Sequence, residues 1–296
     1  MLLSLSRPTA GVQAWFRVYR SLFRRDLWMR YAWMEWVLPF EGASLLAALA
    51  VYFFLAQSFG GQAPFLRAYG GDYVGYLIIG VAGQALLGHA TSSVYSTVLA
   101  MYRGSWTSSG VRLAMADYVE MAQLPLSAYI CAHTAWGYIQ TFLRIVIYLV
   151  AGAAVFGMRP HADAQYGVAV AAIALGVAAC IGISLISAGM IWLLGAWHGN
   201  EPTQWALATI VPLTAGVYFP SEALPPLLRT LAELLPQTHA LRAARFAALG
   251  GSQYDMAAAL PEIGILAASA AGLLLVGGFL FRRALRMARV AGSLSA

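Results

Sequence analysis

The run QTFLRIVIYLV, residues 140–150, places one arginine, Arg144, in the middle of an apolar stretch. A charge near the centre of a bilayer costs roughly 3 kcal/mol on insertion scales. Arg144 must therefore face a protein interface, a water-filled cavity or an acidic partner. Two readings stay open. It anchors an anionic headgroup such as a phosphate or carboxylate, or it pairs structurally with backbone carbonyls or a glutamate such as Glu41. His89 and His133 lie in apolar runs of their own, where a lone histidine is read first as a hydrogen-bonded packing residue. Tyr138, Phe142 and Tyr148 could line a route for an amphipathic substrate or be ordinary core. Arg144, Tyr138, Phe142 and His89 together form the candidate substrate path.

Other chemistry is thinly supplied. The five histidines share no metal-like spacing, there is no HExxH or GxSG, and the carboxylates fall mostly at the ends of apolar runs. All 18 basic residues are arginine. Without lysine there is no P-loop GxxxxGK[ST] and no Schiff base, so any ATP must be bound by another chain. Cys131 and Cys180, both in apolar runs, imply no disulfide framework.

The elements that would position these groups are membrane helices. The 296 residues are 60% hydrophobic and 10% charged, against roughly 25% charged in soluble domains. An all-α polytopic membrane protein is expected, since a spanning helix needs about 20 apolar residues. Six spans are predicted, near 36–58, 73–102, 127–156, 166–197, 203–219 and 256–281. Pro212 should kink the fifth, and Pro261 sits in the first turn of the sixth. The opening MLLSLSRPTAGVQAWF is too short in apolar residues for a signal peptide, so the first span is expected to insert as its own anchor. With both termini in the cytoplasm, 12 arginines lie inside and 5 outside, as the positive-inside rule requires. The expected units are a cytoplasmic segment 1–35, a permease domain 36–281 and a basic tail 282–296.

Three connecting segments are distinctive. Residues 15–30 mix aromatic and aliphatic residues with five arginines, which suits an interfacial amphipathic helix, with Trp28, Trp33 and Trp36 at headgroup level. Residues 110–124 have helical composition ending at Pro125. Val111, Ala114, Met115, Tyr118, Met121 and Ala122 form its apolar face, with Asp117 and Glu120 off it. Such a helix must dock on something, a partner or the membrane surface. Between the fifth and sixth spans, Leu224, Leu227, Leu228, Leu231, Leu234 and Leu235 repeat at helical spacing, with Arg229 and Glu233 as an i,i+4 pair. Pro236 ends that helix. Thr238 is the expected N-cap of a second one, carrying Leu241, Arg242, Arg245, Phe246 and Leu249. Two short amphipathic helices folded into the outer leaflet are predicted.

This last stretch, AGVYFPSEALPPLLRTLAELLPQTHALRAARFAALGG, resembles the membrane permeases of ATP-binding-cassette exporters, the type-2 exporter family. The resemblance rests on Gly216, Phe219, Pro220, Leu224, Pro225, Leu235, Pro236, Thr238, His239 and Arg245. The LP-x-T-H form is similar to nodulation-type and drug-export permeases, and RRDLWMRY (24–31) to polysaccharide exporters. MAQLPLSAY (121–129) looks like the end of the family's coupling helix. Relatives often carry Glu-x-Gly-Thr-Leu-Glu where this chain has SSGVRLAMADYVEM.

The resemblance implies a bacterial inner-membrane exporter subunit, a homodimer or a pair with a homologous permease. Two ATP-binding subunits would hold the ATP and Mg, with no cofactor on this chain and membrane lipid around it; nucleic acid is not expected. It implies coupling to the ATPase through Val111, Met115, Asp117, Tyr118, Met121, Gln123 and Leu124. It also implies a re-entrant outer gate of Phe219, Pro220, Leu224, Leu227, Leu231, Pro236, Thr238, His239 and Arg245. The cargo would be a lipid or glycolipid, then an amphipathic drug, then a polysaccharide. The competing readings are an intramembrane enzyme, which lacks a visible acid–base pair or nucleophile, and an ion-coupled secondary transporter, which would favour broken helices in both halves.

Overall fold

The computed structural model describes residues 8–58, 73–103, 105–106, 112–158, 164–195, 201–218, 220–221, 224–249 and 256–291. In chain order these form α1 (Pro8–Ser58), α2 (Tyr73–Tyr102), a hairpin of β1 (Ser105–Trp106) and β2 (Arg112–Leu113), α3 (Met115–Met121), α4 (Leu126–Ala154), α5 (Tyr166–Leu194), α6 (Pro202–Thr214), α7 (Pro226–Glu233), α8 (Pro236–Leu249) and α9 (Met256–Ala291). Four helices are long and apolar enough to cross a membrane: Tyr73–Tyr102, Leu126–Ala154, Tyr166–Leu194 and the Ala259–Val290 part of α9. They fit a multi-pass membrane protein.

The interfacial stretch 15–30 and the expected first span share one helix. At 51 residues, α1 is about 76 Å long, far beyond the roughly 30 Å of a hydrocarbon core. It runs alongside α4 in the same direction. Trp15 Nε1 donates to Ser127 Oγ (3.0 Å), the Phe23 ring meets Trp136, and Phe53 meets Phe156. The ladder Trp15–Tyr19–Phe23 stacks at four-residue steps on the face turned to α4. The basic tail begins as helix too, because α9 continues past residue 281 with Ala284 and Ala288 buried.

The fifth expected span is shorter than anticipated. α6 has 13 residues, about 20 Å, and stops two residues after Pro212. Its start is well specified. Glu201 is fully buried, and its carboxylate accepts from Thr203 N (3.0 Å) and Gln204 N (2.7 Å), with Pro202 in the first turn. Gln204 Nε2 then donates to the Thr91 carbonyl (2.8 Å) and to Ser187 Oγ (3.1 Å). From there α6 and the bent Ala215–Tyr218 segment carry the chain along α2 to the level of Tyr76.

Helix α5, without a charged residue, packs against α2, α8 and α9. Small residues set these distances. A Cβ on Gly182 would lie 2.5 Å from the Leu273 carbonyl carbon, and one on Gly277 would strike the Gly182 carbonyl. Among the described residues, two apolar cores are the largest of four. One gathers Val98, Met101, Tyr102, Tyr129 and Ile191 around α3. The other gathers Leu87, Ala172, Cys180, Ala240, Leu241 and Leu266 around α8. Since α3 packs on the Val94–Tyr102 end of α2 and α8 on its Tyr76–Gly83 end, the two short helices lie at opposite ends of the bundle.

Candidate functional site

A polar groove of about 350 Å³ runs between α2 and α4. Its α2 wall is His89, Ser93, Ser96, Thr97 and Ala100, at steps of three, four and seven, so one helical face supplies them all. Its α4 wall is His133, Thr134, Gly137, Gln140, Thr141 and Arg144. Gly137 makes room for the opposite wall, because a Cβ there would run into the His89 imidazole. The His89 ring stands edge-on to Tyr138 (centroids 4.7 Å apart, 87°). Its Nε2 is buried against Gly137.

The groove hydroxyls bond to their own helices. Ser93 donates to Ala90 O (3.3 Å), Ser96 to Ser93 O (3.2 Å), Thr97 to Ser93 O (2.8 Å), Thr134 to Ile130 O (2.8 Å) and Thr141 to Gly137 O (2.9 Å). A hydroxyl has one hydrogen and two lone pairs. With the hydrogen engaged, each oxygen offers the groove acceptor capacity.

Of the candidate path, His89 and Arg144 line this groove, Tyr138 buttresses His89, and Phe142 is 66% exposed and does not line it. His133 joins the wall, tied behind by a residue the sequence reading passed over. Asp26 of α1 is buried, accepting from His133 Nδ1 (3.0 Å) at Oδ2 and from Arg25 Nη2 (2.8 Å) at Oδ1. Burial pushes the Asp26 carboxyl up, but the bonds from His133 and Arg25 outweigh it and hold it below the ordinary value. A carboxylate amid the arginines of residues 17–30 was the available signal.

At the end opposite α3, α8 is buried on nearly every side, enclosed by α2, α5 and α9. Gly83 and Gly176 admit it: a Cβ on Gly83 would meet Leu241 at 2.5 Å, and one on Gly176 would meet Ala240 Cβ at 2.6 Å. Arg245, 2% exposed, is a three-way carbonyl clamp. Its Nε donates to Tyr76 O (3.1 Å), Nη1 to Gly216 O (2.6 Å) and Nη2 to Val217 O (2.8 Å). The guanidinium lies 3.6 Å above the Tyr76 ring, whose hydroxyl also donates to Gly216 O (2.9 Å). Gly216 adopts φ +75°, which turns its carbonyl to these donors. Arg245 thus ties the chain after α6 to α2 and α8.

A second polar knot joins α8 to α9. His239 Nε2 donates to the Glu233 carbonyl (2.8 Å), so this nitrogen carries a proton, and Nδ1 faces Glu262 Oε2 at 2.5 Å. Arg242 bridges Glu262 Oε1 and Ser221 Oγ, each at 2.8 Å. The hydrogen bond to Glu262 raises the His239 pKa above its usual value against the opposing effect of burial. Thr238 is not the N-cap, a correction to the sequence reading. The helix starts at Pro236, whose missing N–H costs nothing in a first turn. Thr238 N instead bonds to Leu235 O.

Within the expected gate, Pro220 and Pro236 are buried, Leu224 and Leu231 half-buried, and Leu227 is 75% exposed beside an equally exposed Leu234. The leucines therefore do not act as one buried face. Ala232 seats α7, and Arg229–Glu233 pair at 3.5 Å on its outer side. Phe219 lies outside the described residues.

Among the described residues, the segment expected to couple is helical over Met115–Met121, behind the hairpin. Ala114 just before it and Ala116 and Val119 within it are buried, while Tyr118 (52%) and Met121 (68%) are exposed. The predicted face is thus divided. Tyr118 and Met121 point outward, Met115 is half-buried, and Ala116, outside the predicted set, faces in. Asp117 Oδ2 accepts from Ala114 N (2.7 Å), reaching back to fix the start. Leu124 N bonds to Val119 O (2.9 Å) around Gln123, exposed at φ +52°, which closes the C-terminus. Val111 lies outside the described residues.

Among the described residues, no group of three His, Cys, Asp or Glu side chains could hold a metal ion. Neither a protein-family model nor a curated protein matches this chain.

Proposed function

We propose that this chain is the membrane permease subunit of an ATP-driven exporter. The observation that carries the reading is α3, a seven-residue helix held on the bundle end by Ala116 and Val119 that presents Tyr118 and Met121 outward. A motor on a separate chain must grip something stiff, and a helix capped at both ends and seated in the α2–α4–α5 core transmits a push that a loose loop would absorb. The clamped, buried α8 at the far end supports a re-entrant gate.

In this reading the chain crosses the membrane six times. α1 and α6 add to the four long apolar helices, both termini and α3 lie in the cytoplasm, and α7–α8 lie in the outer leaflet of the bacterial inner membrane. Two copies, or one copy and a homologous permease, assemble with two ATP-binding subunits that supply ATP and Mg. The cargo is an amphipathic or lipid-linked molecule.

The test is affinity purification of the tagged chain from its native membranes, followed by ATPase assay of the eluate. The wild-type chain should bring down an ATP-hydrolysing subunit. Tyr118→Asp and Met121→Asp should lose it while still inserting and eluting as a monodisperse species. Full ATPase recovery with both variants would remove α3 from the coupling role, and hydrolysis by the chain alone would overturn the whole reading.

A further inference from the structure

The α2–α4 groove combines two demands on a ligand. Its hydroxyl oxygens at Ser93, Thr97, Thr134 and Thr141 have their hydrogens engaged by helix carbonyls and are left as acceptors. A ligand must therefore bring donors. At the α4 end, Arg144 lines the groove with a guanidinium, whose charge and planar fork suit a phosphate. At about 350 Å³ the groove is at the small end of ligand pockets, which run from about 300 to 1,000 Å³. It holds a headgroup, not a whole amphiphile, and two helices able to cross a membrane form its walls.

We infer that this groove is a binding site for a hydroxyl-bearing phosphate, the chemistry of a phosphoglycerol or sugar-phosphate headgroup. The phosphate is held by Arg144, and the ligand hydroxyls donate to the Ser93, Thr97 and Thr141 oxygens. A quaternary amine has no hydrogen to give those oxygens and meets a like charge at Arg144. The site belongs to the isolated chain and does not depend on an ATPase partner, so its failure and the failure of the coupling reading are separate results.

Native mass spectrometry of the purified full-length protein, titrated with short-chain phosphatidylglycerol, phosphatidic acid and phosphatidylcholine and with free glycerol 3-phosphate, tests this. Phosphatidylglycerol should bind about tenfold or more tighter than phosphatidylcholine, and tighter than phosphatidic acid, which lacks the hydroxyls. Arg144→Gln should weaken it about tenfold or more, the loss of a charge-assisted bond. The near-isosteric Thr97→Val, used at an unchanged melting temperature, should weaken it about fivefold, with phosphatidylcholine unchanged in both. Glycerol 3-phosphate binding as tightly as the lipid would support the same chemistry from a soluble source, and its absence with lipid binding retained would support a membrane source. Equal binding of phosphatidylcholine, equal binding of phosphatidic acid, or wild-type affinity in Thr97→Val would each overturn the assignment.

Discussion

Arg245 shows how one side chain can hold a broken path together. Three backbone carbonyls, those of Tyr76, Gly216 and Val217, point into a buried interior where unmade hydrogen bonds are costly. Arginine alone offers enough donors in a fixed fork to satisfy them all. Arg245→Leu should cost about 3 kcal/mol or more, seen as a large drop in melting temperature in detergent or as lost monodisperse protein. Arg245→Lys should recover only part, since an ammonium cannot reproduce the fork. Gly80 belongs to the same unit, because a Cβ there would collide with the Arg245 guanidinium and the Val217 carbonyl. Gly80→Val should behave like Arg245→Leu, whereas Gly88→Ala meets its nearest neighbour, Gln84, at 3.6 Å and should be tolerated. Equal melting temperatures for the two glycine variants would sink the clamp.

At the scale of elements, α8 and α9 are joined by a pH-dependent link. The bond to Glu262 raises the His239 pKa in the folded chain. The stability it contributes is complete below about pH 6.5, the unfolded value, and is lost as the pH climbs through the raised folded value. The wild-type melting temperature should therefore fall above pH 6.5, and Glu262→Gln should flatten that dependence. A wild-type melting temperature that rises over the same range would mean that His239 is neutral in the fold. Helix α3 works differently, through caps and small buried residues, so its stiffness should not follow pH in this window.

For the whole molecule, the decisive property is which ends share a side. α3 and α8 sit at opposite ends of the bundle, and α6 carries the chain between them although it is only 13 residues long. If α1 and α6 both cross, Tyr118 and Leu227 face opposite compartments. If only the four long apolar helices cross, they face the same one. In a background lacking the exposed Cys131, Leu227→Cys should react with a membrane-impermeant maleimide in intact cells and Tyr118→Cys only after permeabilisation. Leu241→Cys, at a fully buried position, should stay unlabelled until the protein is denatured. Labelling of both exposed positions from one side would reject six crossings.

The composition and the long apolar runs determined by themselves that the chain is helical and membrane-capable, because burial of a backbone in hydrocarbon leaves a helix as the way to satisfy its own hydrogen bonds. Local patterns also placed α2 at Tyr73–Tyr102 and the break at Pro236, since proline and apolar length act through neighbours in the chain. Tertiary structure decided the rest. No local signal says that Arg245 reaches carbonyls 28, 29 and 169 residues away, that Asp26 orients His133, or which side of α3 faces in. The polar groove needed both of its walls at once, and His89 and Arg144 became neighbours only when Gly137 let α2 and α4 close together.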